Sequence, residues 1–315
     1  MVNKLENNIQ TSSLDEDEVS LQELFSLLWK EKVSIILISF VFGVSSILYT
    51  LSMPNEYRAS VLLAPAHSSS GALSGALEQF GTLSSLAGVN LDQATDESKI
   101  AQEVMKSWSF IDRFINENNI SLEIFAVEGW DSSQNQLDVD EDIYDPESDQ
   151  WLIENEKGEL GPPSSWTLYE AFKKRLNVSV DKRTGLTSIS IEYYSPEVAK
   201  KWVDLYVSSI NAYMQKRKVI KTARNIDYLE AQIQKNSISE IEIVLFSIVE
   251  EQFKEKMLAE ANPDYAFVTV SPSMVPEEKS SPKRFLIFIL VTTLGFFSAI
   301  IYLLIRNFYK TSGEN

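Results

Sequence analysis

The chain has 315 residues, a formal net charge of −17, one histidine and no cysteine. Such acidity excludes a nucleic-acid binder, which needs clustered Lys and Arg against phosphate. The absence of cysteine excludes disulfides, thiolate metal sites and cysteine nucleophiles. The lone histidine, His67, lies in APAHSSSGA and reads as a solvated loop residue, because catalytic and metal sites need converging partners.

Residues Met1–Glu18 are polar and acidic, and read as disordered. In SLQELFSLLWKEK, Ser20 and Glu23 have capping-box spacing, and Leu21, Leu24, Phe25 and Leu28 share one face. Trp29 and Lys30 then suit a headgroup layer, so the segment reads as an interfacial helix. It leads into Val33–Ser52, VSIILISFVFGVSSILYTLS, an uncharged run. A second uncharged run is Phe285–Ile305, FLIFILVTTLGFFSAIIYLLI. Each has about 20 residues, the length a helix needs to cross a bilayer core. The first is not read as a cleaved signal, because the tail before it is long and acidic and no small-x-small site follows. Two spans put the tails 1–32 and 306–315 on one side and the body 53–284 on the other. Lys and Arg beside the spans are nearly balanced (Lys30, Lys32, Arg306 and Lys310 against Arg58, Lys279, Lys283 and Arg284), so charge assigns no side. Within the spans, Ser39 and Gly43, and Gly295 and Ala299, have the small-xxx-small spacing that permits close helix approach.

Between the spans, YRASVLLAP after Pro54 alternates like a strand. Gly71–Leu91 is rich in Gly, Ala, Ser and Leu and nearly uncharged, which leaves both close backbone packing and a flexible linker open. Ile100, Val104, Trp108, Ile111 and Phe114 predict one helix over Asp96–Asn118, and SLEIFAV predicts a strand after it. Glu128–Glu159 is strongly acidic, with Lys157 its single cation. DVDEDIYDPESD within it lacks the glycine at the sixth position and the glutamate at the twelfth that a calcium loop requires, so a solvated acidic loop is expected.

SSWTLYEAFKKRL at Ser164–Leu176 predicts a short helix, and NVSVDKRTGLTSISIEY a β-hairpin turning at Gly185. Asn119 and Asn177 head glycosylation triplets that chance alone explains. From Glu197 to Asn262 there is neither Gly nor Pro. Pro196 suits a helix start, and Val198, Trp202, Leu205, Tyr206 and Ile210 mark helical faces. A continuous helix there would be roughly 100 Å long. One domain cannot bury such a helix, so it must pack on neighbouring copies or break near Asn236 into two antiparallel helices. DYAFVTV predicts a strand. SPSMVPEEKSSPKR, which carries Pro272, Pro276 and Pro282 and ends on Lys283 and Arg284, predicts an extended membrane junction.

These segments together resemble the Wzz-type chain-length determinants, the polysaccharide co-polymerases of Gram-negative inner membranes. The resemblance rests on EEQFKEKMLAEANPDYAFVTVSPSMVPEEKSSPKR at Glu250–Arg284 and SPEVAKKWVDLYVSSIN at Ser195–Asn211. The Gly/Ala/Leu tract and IYDPESDQWL at Ile143–Leu152 add to it. Ser271 and Ser273 depart from it, since the family often has aspartate before Pro272. The resemblance implies cytoplasmic tails and a periplasmic body. It also implies an α+β fold: an α/β membrane-proximal base with a long extended helix, assembled as a bell-shaped ring.

No phosphate-binding GxxxxGKS/T loop, paired-histidine motif or nucleophile–base set is present, so no enzyme and no cofactor is expected. With a C-terminal tail of about ten residues, neither a fused kinase nor a signalling output is expected. The function implied is control of the modal chain length of a lipid-linked polysaccharide, lipopolysaccharide O-antigen. The implied partners are further copies of the chain, the O-antigen polymerase, the lipid-linked polysaccharide and the membrane. Capsule or exopolysaccharide export, and a tethered scaffold with no glycan role, stand as alternatives.

Overall fold

The computed structural model describes residues 29–66, 92–155, 158–235 and 239–312. His67, the Gly/Ala/Leu tract, most of the expected interfacial helix and Asn236 lie outside them. The chain divides into two compact units, Met1–Met53 with Lys283–Asn315, and Pro54–Pro282.

The first unit holds α1 (Lys32–Ser52) and, at the other end of the sequence, α8 (Arg284–Ser312). Both are long and apolar enough to cross a membrane. They pair antiparallel: Glu31 before α1 meets Arg306 near the end of α8 at 3.8 Å, and Ile35 packs with Ala299 and Leu303. Away from that seam their apolar side chains are exposed, Phe40, Leu48 and Phe285 among them. Such a surface suits lipid and not water.

The second unit is built on an antiparallel sheet. Its central strand is β1 (Glu56–Pro65), whose Ala59, Val61 and Leu63 are buried on one face. The period of two follows from the pleat. β6 (Leu176–Val180) and β7 (Thr187–Tyr193) form the expected hairpin, with Gly185 at positive φ in its turn. β7 pairs with β1, setting Ala59 opposite Ile191 and Val61 opposite Ile189. On the far side of β1 lie β8 (Phe267–Ser271) and the short β9 (Lys279–Ser281). The junction expected to be wholly extended thus contributes one short strand to the sheet.

Three expectations for shorter segments are corrected. The single helix over Asp96–Asn118 is two, α2 (Asp92–Lys106) and α3 (Trp108–Asn118). Ser107 between them is extended and caps α3 by accepting from the Phe110 N–H. SLEIF is a short helix, α4 (Ser121–Phe125), and not a strand. A run of five residues carries too few periods to separate the two. The acidic segment is not a plain loop: it folds into hairpins β2–β3 (Val127–Asp131, Gln136–Val139) and β4–β5 (Tyr144–Asp145, Gln150–Trp151).

The largest correction concerns the expected long extended helix. It is two antiparallel helices, α6 (Pro196–Lys235) and α7 (Ser239–Ala261). Gln215 donates to the carbonyls of Ala259 and Asn262, and Asn225 to the side chain of Gln252. Lys218 lies 3.2 Å from Glu255. The 40 residues of α6 span about 60 Å. Its foot supplies the core stripe Ala199, Trp202, Val203, Tyr206, Ile210 and Met214. This stripe lies over the sheet and meets Phe110 and Phe114 of α3 and Phe172 of α5 (Ser165–Arg175). Phe114 and Tyr206 stack edge to face at 4.9 Å. Tyr206 donates its buried hydroxyl to the Met105 carbonyl, so the aromatic core leaves that polar group satisfied.

Candidate functional site

Among the described residues, no group of three or more His, Cys, Asp or Glu side chains converges as a metal site.

The seam between α1 and α8 collects three of the four predicted small residues. A Cβ on Gly295 would lie 2.6 Å from the Phe42 Cβ, and one on Gly43 would lie 3.3 Å from Phe288 and Thr292. At Gly295 only glycine permits such approach without displacing a ring. Ala299 is fully buried with Ile35 and Leu303. Ser39 lies beside the contact. With Ile36, Phe40, Gly43, Phe288 and Thr292 it lines an apolar groove of about 410 Å³. The hydroxyls of Ser39 and Thr292 are buried there without a hydrogen-bond partner. Phe42, Phe288 and Thr292 do not stand out in the sequence, because any apolar residue reads alike in a span.

The five junction residues are placed in order along the chain. Pro272 follows β8 and Pro276 lies in the irregular segment after it; Pro282 follows β9. The Lys283 carbonyl accepts from the amides of Leu286 and Ile287, opening the last helix, and Arg284 is the first residue of α8. Ser273, one of the departures from the family pattern, is buried and donates to Asp204 of α6.

A cleft of about 410 Å³ beside β8 is lined by Asp204, Asn211, Gln215, Asp264 and Ser273. Its polar groups are largely used within the fold. Asp204 takes Lys200 and Ser273, Asn211 holds the backbone of Phe267, and Gln215 holds the end of α7. The cleft is therefore a stabilised joint and offers few free groups to a ligand.

The distal part of the α6–α7 hairpin is different. Ile243 is 71% exposed, Val244 56% and Phe246 54%, with Tyr228 of α6 at 65%. Nothing among the described residues covers them. The face lies outside the apolar spans, where contiguous exposed apolar side chains are unusual.

Residues 17–118 match the family model described as Wzz, chain length determinant protein. The match covers about a third of the chain. The matched segment takes in α1, β1, α2 and α3, so it covers the first candidate span and the central strand of the sheet. No curated protein matches the chain. A solved structure described as a full-length bacterial polysaccharide co-polymerase is similar over 92% of this chain and 98% of its own, at 12% identity and a TM-score of 0.36. At that score the likeness decides neither fold nor activity.

Proposed function

We propose that this protein sets the modal chain length of a lipid-linked polysaccharide, the O-antigen of lipopolysaccharide, as a non-catalytic co-polymerase. Both tails lie in the cytoplasm, the body 53–284 lies in the periplasm, and several copies form a ring on the inner membrane. The polymerase is met laterally, along the groove that Ser39, Gly43 and Thr292 line. The observation that carries this reading is the Wzz match over residues 17–118. Two candidate spans, antiparallel and at opposite ends of the sequence, support it by tying both ends of one body to one membrane.

Assembly rests on a different feature from the one the sequence suggests. A single 100 Å helix would have demanded neighbours, and that helix is folded back on itself. The exposed apolar face of α7 replaces it: Ile243, Val244 and Phe246 in water favour a further copy. The experiment is the polysaccharide ladder on a gel, with the gene deleted and restored. Deletion should flatten a modal distribution, and restoration should return it. An unchanged ladder after deletion would end this reading.

A further inference from the structure

The α6 helix carries a stripe of cations on one face. Tyr213, Lys216, Arg217, Ile220, Lys221 and Arg224 recur at the three- and four-residue spacings that align side chains on a helix. Arg113 of α3 closes one side, and the groove so formed measures about 490 Å³. Lys216, Arg217, Lys221 and Arg224 are exposed, and none forms an ion pair among the described residues. Cations beside the stripe do find partners. Lys218 lies 3.6 Å from Glu97 and 3.2 Å from Glu255, and Arg113 lies 3.0 Å from Glu117. Acids outnumber Lys and Arg in this chain by 45 to 28. Four adjacent cations left without a carboxylate are therefore unexpected, and like charges at these spacings repel one another.

The complementary surface is in the same unit. The hairpins β2–β3 and β4–β5 carry exposed Glu128, Asp138, Glu141, Asp142, Glu147 and Asp149. Turns capped by Asp131, Asp140 and Asp145, which accept backbone or hydroxyl hydrogens from Ser133, Asp142 and Glu147, hold the lobe in shape. No acid of the lobe forms an ion pair among the described residues, and none reaches the α6 stripe. One chain thus presents both halves of an electrostatic contact and, among the described residues, does not join them.

We propose that the α6 stripe of one copy seats against the acidic lobe of the next copy. The inference rests on the ring reading above and names its contact. Because the two surfaces differ, the contact is head to tail, which is the kind that closes rings. Exposed ion pairs are individually weak. The charges therefore select which neighbour face is met and in what orientation, while the apolar face of α7 supplies attraction. An acidic polysaccharide on the stripe is the rival occupant.

The test uses the full-length protein in detergent and two charge-reversed forms. One carries Lys216→Glu, Arg217→Glu, Lys221→Glu and Arg224→Glu; the other carries Glu141→Lys, Asp142→Lys and Glu147→Lys. Light scattering should show the particle mass at least roughly halved for each form alone, as mass action requires when an interface weakens. Mixing the two forms should restore the native mass, because each then offers the sign that the other needs. Circular dichroism and the rescue on mixing separate lost contact from lost fold. A stripe variant that keeps the native mass overturns the proposal. So does a pair that stays dissociated when mixed. A stripe variant of native mass that no longer retains polygalacturonate assigns the stripe to glycan, and also overturns it. A stripe variant of native mass that still restores the sugar ladder sinks this contact and leaves the proposed function standing. A ladder unchanged by deletion sinks the function instead.

Discussion

The side chain of Asn211 holds both backbone polar groups of Phe267. Its Nδ2 donates to the Phe267 carbonyl at 2.9 Å, and its Oδ1 accepts from the Phe267 amide at 2.9 Å and the Ala266 amide at 3.0 Å. Asn211 is on α6 and Phe267 opens β8, so one buried carboxamide ties the long helix to the strand. Asn211→Ala leaves three buried groups unpaired. It should lower stability by about 1–3 kcal/mol or more, read as a fall in the unfolding midpoint of the detergent-solubilised protein. An unchanged midpoint would mean that water replaces the carboxamide.

The contact of Gly295 with Phe42 is tight enough to fail on substitution. Gly295→Leu should force α1 and α8 apart. The cysteine-free background makes this readable: Ile35→Cys with Leu303→Cys, in one apolar cluster, should cross-link on oxidation. Adding Gly295→Leu should cut the cross-linked fraction roughly tenfold, in line with the ~1–2 kcal/mol of close helix contacts in bilayers. Equal cross-linking would show that the Phe42 ring gives way.

The exposed face of α7 should govern assembly. Ile243→Ser with Phe246→Ser removes apolar area worth about 1.5–3 kcal/mol per side chain when buried. The particle mass in light scattering should fall while helix content holds. A native mass from this variant would remove α7 from the interface.

Acid response should bear the mark of Glu56. Burial raises its carboxyl above the usual value; Arg175 at 3.7 Å opposes this and Glu192 adds to it. The folded state therefore holds this proton more tightly than the unfolded chain does. The stability that protonated Glu56 contributes is present at low pH. It is lost as pH rises from the ordinary carboxylate range, about 4.3, through the raised value. Asp131, Asp145 and Asp181 shift the opposite way through hydrogen bonds in their turns, so their contribution fades as pH falls. Glu56→Gln should flatten only the first slope, measured as the urea midpoint against pH. Parallel curves for native and variant protein would contradict it.

Features that depend on neighbours in sequence are legible in it. Composition alone marks the two spans, alternation marks β1, and Gly185 marks the β6–β7 turn. The split at Ser107 is less so, because one serine among helix formers signals a cap only when the chain turns there. α4 reads as a strand because SLEIF satisfies both periods.

The reversal between α6 and α7 shows where local reading stops. Both helices keep their own periodicity, and the choice between one long helix and two is made by contacts such as Gln215 with Ala259 and Lys218 with Glu255. The same holds for the sheet, where β1 pairs with strands more than a hundred residues away. It holds also for Gly295, whose neighbour Phe42 comes from the opposite end of the chain. Taken by itself, the sequence determined that the chain has two membrane-length helices around a mixed α and β body, since hydropathy and period are properties of consecutive residues. Only the tertiary structure decided which strands pair, that the long helix doubles back, and that the cations of the α6 stripe and the acids of the two hairpins do not meet among the described residues. Those outcomes depend on closing long loops, and the entropy of closure is offset by contacts that no local window contains.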